Sequence, residues 1–171
     1  YTAKLYIGEK QVGEQPFTIV KDPRLTDVSQ EDFEAQFELA SVISAKLDET
    51  HKAINHLREI RDEINKITKD FSGNNEVKEH ATAMLDAMNG IENELMQTKA
   101  EAGQDLLNYP IMLNNKLASL KGNVEEGFGR PNKQQYEVFE DLASRVDVQL
   151  EQLQRILDGD FATFKEGAEA G

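Results

Sequence analysis

Cysteine is absent from this sequence, which excludes disulfides, thiol catalysis and cysteine-based zinc sites. Long apolar runs are missing too. No stretch approaches the roughly 18 residues that would cross a bilayer, and no signal peptide is present. Positive charge is scarce, with 19 Lys and Arg against 32 Asp and Glu and a formal net charge of −13. Nucleic acid and anionic membranes both need Lys/Arg-rich faces, so neither is expected as a partner. Solubility is the plain reading of the charge, ahead of cation binding. The lack of cysteine leaves the compartment open.

Signatures of chemistry are equally thin. Three histidines are present, and His51 and His56 stand about 140° apart around a helix, where they do not readily share a metal. Asp48 with His51 comes nearest to the Glu-x-x-His element of di-iron bundles, but such a site needs two of these elements and two more inward carboxylates. A di-metal carboxylate bundle is therefore a remote alternative. With 32 acidic residues, a carboxylate pair suited to glycoside hydrolysis can be drawn anywhere and identifies nothing. There is no Gly-x-Ser-x-Gly string, phosphate loop or dinucleotide fingerprint. No catalytic, cofactor-binding or metal-ligating residue is assigned, and no cofactor is expected.

What the chain does contain is helix. From Ser29 to Phe71, apolar residues fall at Phe33, Phe37, Ala40, Ile43, Leu47, Ile54, Leu57, Ile60, Ile64, Ile67 and Phe71, with polar Thr50 in the remaining slot. This three-and-four spacing predicts one helix of roughly 60 Å whose apolar stripe other helices must cover. Ser29 with Asp32 reads as a capping box. A second helix is expected from Val77 through Met84, Met88 and Leu95 to Thr98 and Ala102, ended by Gly103. Gly90 inside it costs roughly 1 kcal/mol against alanine unless close packing needs it small. Pro110 is expected to open a third helix carrying Leu113, Leu117, Leu120 and Val124, broken by Gly127 and Gly129. Pro131 opens a fourth, with Phe139, Leu142, Val146, Leu150, Leu153 and Leu157 inward. Gly159 should interrupt it before a last turn with Phe161 and Phe164, and residues 168–171 should fray. Short links imply antiparallel neighbours. The expected fold is mainly α, an antiparallel up-down four-helix bundle over residues 25–171.

Residues 1–24 differ from the rest. Tyr1, Leu5 and Ile7 alternate with polar positions, Gly8-Glu9-Lys10 forms a turn, and Phe17-Thr18-Ile19-Val20 is rich in strand formers. A β-hairpin is expected, ending at Asp22-Pro23-Arg24. An isolated hairpin is marginal in water, so it either packs on the helices or closes a β-sandwich whose other strands precede it. The second is favoured, with the hairpin abutting the helices and the chain read as a piece of a longer protein. The least generic stretch is Leu106–Leu117. It reads as a connection in which Asn108 caps and Tyr109 covers the bundle end, or as a docking surface formed by Tyr109, Asn114 and Asn115.

Four strings in this order resemble one family: Phe17-Thr18-Ile19-Val20-Lys21-Asp22-Pro23-Arg24, then after the long helix Leu107-Asn108-Tyr109-Pro110 with Leu113-Asn114-Asn115-Lys116-Leu117, then Tyr136-Glu137-Val138-Phe139-Glu140-Asp141-Leu142. They resemble the C-terminal region of bacterial sortilin/VPS10-type, BNR-repeat glycosyl hydrolase-like proteins. The resemblance implies a propeller and β-sandwich upstream, an exported (secreted or periplasmic) protein, and a non-catalytic helical accessory domain. That domain would serve packing, assembly, homodimerisation or partner binding. The family's sugar chemistry belongs to its propeller. This chain has neither Trp nor a Ser-x-Asp-x-Gly string, so no catalytic residue carries over. The alternative is a free-standing helical interaction module.

Overall fold

The computed structural model describes residues 1–169 and is mainly helical, with a two-stranded antiparallel sheet at its N-terminal end. Strands β1 (Thr2–Ile7) and β2 (Lys10–Pro16) pair through a two-residue turn at Gly8-Glu9. Gly8 has φ +61° and Glu9 does not share the positive sign, which is the II′ arrangement that matches strand twist. The second strand therefore lies earlier than expected. Phe17 still exchanges two backbone hydrogen bonds with Tyr1, while Thr18 to Val20 lie outside the sheet. Pro16 closes β2 at a position paired with Thr2, where no N–H is needed.

Helix α1 (Gln30–Asp70) has 41 residues and the expected capping box, with Ser29 and Asp32 exchanging side-chain and backbone bonds. It buries Leu39, Ala40, Ile43, Ile54, Leu57, Ile60 and Ile64. Thr50 is fully buried among them, and its hydroxyl donates to the Lys46 carbonyl one turn back at 2.7 Å. Phe37 departs from the expected stripe and is 75% exposed. The inward slot beside it belongs to Gln36, whose amide donates to the carbonyls of Val124 and Gly127 at 2.7 and 2.6 Å. Those carbonyls lie at the end of another helix, where intrahelical partners run out. A polar side chain is therefore worth more in that slot than a ring.

Helices α2 (Asn75–Leu95), α3 (Leu113–Glu125) and α4 (Lys133–Arg155) pack on α1, and α5 (Ala162–Glu169) packs on α2. A π-helical turn, Ile156–Phe161, joins α4 to α5 without a break. Helix α2 runs antiparallel to α1, since Arg58 reaches Glu92 and Met96 while Arg61 reaches Asn89. Helix α4 runs parallel to α1, with pairs Arg130–Asp32, Lys46–Asp147 and Lys165–Glu63 in ascending order along both. Helix α3 is joined to α4 by a short link and lies against it, so it too opposes α1. The directions are up, down, down, up, rather than the strict alternation expected. The cause is the long connection 96–112, which lets the chain resume its course after α2 instead of reversing.

Several helix ends differ from expectation. Helix α2 stops at Leu95 because Met96 turns extended, so Thr98 and Ala102 are outside it. Helix α3 starts at Leu113 rather than Pro110, with Met112 at its cap. Asn132 with Gln135 makes the capping box of α4, one residue after Pro131. Gly159 does not interrupt the last helix. The buried residues Ile156 and Phe161 are five apart, the span of one π-type hydrogen bond, and the wider turn brings Phe161 and Phe164 onto the core face. Helix continues to Glu169, while Ala170 and Gly171, where fraying was also expected, lie outside the described residues.

A Cβ built on Gly90 meets nothing within 4 Å, so close packing does not require glycine there. Gly90→Ala is expected to raise stability by about 0.5–1 kcal/mol, measured as a higher urea midpoint at unchanged m-value. A loss would mean that α2 needs the glycine for a contact this structure does not contain.

Candidate interaction surface

The connection 96–112 leaves the path between α2 and α3 and returns to it. Its two ends are clasped by the Gln97 amide, which donates to the Pro110 carbonyl at 2.8 Å. Inside, the Asp105 carboxylate accepts the backbone N–H groups of Ala102 and Glu101, each at 2.8 Å. Those two donors hold the Asp105 carboxyl below the usual aspartate range. They also start a 3-10 turn over Gly103–Leu107. A surface loop closed on itself in this way is an Ω-type element, a class often used for recognition.

The residues expected to dock there lie on two elements. Tyr109 sits in the connection, 37% exposed, and Asn114 and Asn115 lie half-buried in the first turn of α3. The Asn114 side-chain Oδ1 accepts the Asn115 backbone N–H at 2.7 Å, so one amide acceptor is turned back on its own backbone. Asn108 does not cap α3; it closes the 3-10 turn, donating its N–H to the Asp105 carbonyl. Among the described side chains here the most exposed apolar group is Leu107, at 88%, followed by Ile111. Neither follows a helical or strand period, so no pattern marks them in the sequence.

A larger uncovered surface lies on the hairpin. Tyr1, Leu5 and Ile7 share one face of β1, and Phe17 stacks on Tyr1 with ring centroids 5.6 Å apart. The opposite face is polar and internally paired: Tyr6 donates to Gln11, Gln11 to Glu14, and Lys4 faces Glu14 at 3.8 Å. The apolar side of the hairpin has no such cover, since Tyr1, Leu5, Ile7 and Phe17 are all exposed, as are Ile19 and Val20 beyond the strands. Phe37 and Phe128 are exposed as well, but among the described residues the hairpin makes no substantial contact with any helix, so it does not abut the helices as expected.

The one strongly buried charge among the described residues is Glu92, 5% exposed on the α1–α2 seam. Arg58 Nε donates to one of its oxygens at 2.7 Å and Arg61 Nη2 to the other. Burial alone would push the Glu92 carboxyl up, but the bonds from Arg61 and Arg58 outweigh it and hold the group below its ordinary value. Arg61 also reaches Asn89 at 3.0 Å, and its buried Nε has no partner. The cluster ties α1 to α2 across their seam.

The candidate metal ligands are not brought together among the described residues. His51 and His56 are exposed, and Asp48 pairs with Lys52 at 2.6 Å. Among the described residues no group of three or more His, Cys, Asp or Glu side chains is placed to hold a metal ion. No helix among them is long and apolar enough to cross a membrane. Comparison with known protein families, curated proteins and solved structures finds no match.

Proposed function

We propose that this chain is a non-catalytic helical accessory domain that joins a larger protein through its N-terminal hairpin. The observation that carries the reading is the uncovered apolar face of that hairpin, with Tyr1 and Phe17 stacked and Leu5 and Ile7 exposed. A two-stranded ribbon with one bare apolar side is marginal alone and is stabilised by further β-structure laid on it. In this reading the helices form a bundle that acts as a stiff strut. The resemblance to C-terminal regions of BNR/sortilin-type hydrolase-like proteins supplies a context: preceding β-sandwich and propeller domains, and export from the cell.

The test is the intact mass of the native gene product against the 19.3 kDa of this chain. A mass several times larger, with β-rich domains ahead of Tyr1, is expected. A native mass near 19.3 kDa overturns the accessory-domain reading. Exposure of Leu107, Tyr109 and Ile111 on the 96–112 connection favours a second reading, a free-standing interaction module, and that mass would leave it in place.

A further inference from the structure

The two outer edges of the hairpin are not equivalent. Tyr1 and Phe17 exchange both backbone bonds, so Tyr1, Ala3, Leu5 and Ile7 turn their amides and carbonyls toward β2. Thr2, Lys4 and Tyr6 therefore point theirs outward, and no second strand meets them among the described residues. That outward row is unbroken. On β2 the corresponding row is spoiled twice. Pro16 has no N–H to offer, and the register shift opposite Leu5 and Tyr6 leaves Val12 as an unpaired bulge. Bulges and prolines are the devices that keep an edge from pairing.

We infer that the hairpin takes up a further β-strand at the outer edge of β1 and not at β2. The occupant is an extended segment from a different sheet, antiparallel to β1. It carries apolar residues on the side of Leu5 and Ile7 and an acidic residue beside Lys4. Main-chain bonds to Thr2, Lys4 and Tyr6 supply the attachment, and alternate side chains supply the selectivity. A second copy of this chain is disfavoured, because antiparallel β1–β1 pairing centred on Lys4 sets two lysines directly opposite each other. The inference rests on the reading of the hairpin as a joining element and adds which strand does the joining.

Two substitutions separate the edges. Lys4→Pro and Glu14→Pro each delete one outward N–H, spare the bonds within the hairpin, and lose the same Lys4–Glu14 ion pair. The probe is an acetylated, amidated hexapeptide alternating glutamate and valine, titrated into the ¹⁵N-labelled chain. Amide shifts and exchange protection are expected at Thr2, Lys4 and Tyr6. Lys4→Pro should weaken the peptide by about tenfold or more, and Glu14→Pro by less than about twofold. The Tyr1–Phe17 ring contact, read as a nuclear Overhauser effect, reports whether each variant keeps its hairpin. Perturbation at Glu14 or on the apolar face alone overturns the β1 assignment and leaves the joining role. No perturbation anywhere on an intact hairpin overturns both. A dimer in the absence of peptide that Lys4→Pro abolishes makes the occupant a second copy.

Discussion

Leu57→Ala is expected to lower the unfolding free energy by about 3 kcal/mol, measured by urea denaturation followed by far-UV circular dichroism. Leu57 is fully buried at the middle of α1 and belongs to the continuous core shared with α2, α3 and α4. Truncation removes apolar contact and leaves a cavity that rods held on several sides cannot close. Phe37→Ala removes a larger side chain from the same helix, yet should change stability by less than about 0.5 kcal/mol, because that ring is already in water. Equal losses from the two variants would mean that Phe37 is buried in solution and that the stripe of α1 faces another way.

Glu92→Ala should cost about 2–3 kcal/mol. Removing one partner of a fully buried ion pair costs about 3–5 kcal/mol, since the remaining charge is stranded. Here the loss is smaller because Arg58 is half-exposed and can turn outward, while Arg61 on the inner side is left with Asn89. Acid should reveal the same cluster. Burial raises the carboxyl, the two guanidiniums lower it further than burial raises it, and the folded value lies below the unfolded one. The contribution is therefore complete above about pH 4.3, the unfolded value, and is lost as pH falls through the depressed folded value. The stability gap between wild type and Glu92→Gln is expected to narrow below about pH 4. A gap independent of pH from 3 to 7, on the scale of those carboxylate values, would show that the carboxylate is not held by the arginines.

The long helix was legible because its signals are local. Ser29 and Asp32 cap it, and side chains three and four apart decide its buried side. The error at Phe37 is instructive, since period alone cannot tell a ring on the flank from a ring in the seam. What decides the matter is Gln36 bonding to Val124 and Gly127, some ninety residues away, and no local pattern contains that. The end of α2 has the same character. Thr98 and Ala102 continue the heptad, but Gln97 is drawn off to the Pro110 carbonyl. Helix directions are not legible locally, because no short-range pattern distinguishes the long excursion over 96–112 from a short link. Of the candidate surface, Tyr109 stood out through the Asn-Tyr-Pro string, whereas Leu107 and the bare face of the hairpin become visible only once their neighbours are placed.

The parallel alignment of α1 with α4 and α5 also sets a timetable for synthesis. Asp32, Lys46 and Glu63 each await a partner about a hundred residues further along the chain, at Arg130, Asp147 and Lys165. At roughly 5–20 residues per second, the apolar side of α1 leaves the ribosome many seconds before the last helix can cover it. Helix α2 follows within a few residues and shields the far half of α1 first. The near half, around Leu39 and Ile43, waits for α3 and α4, and it is there that a nascent chain would need a chaperone's protection.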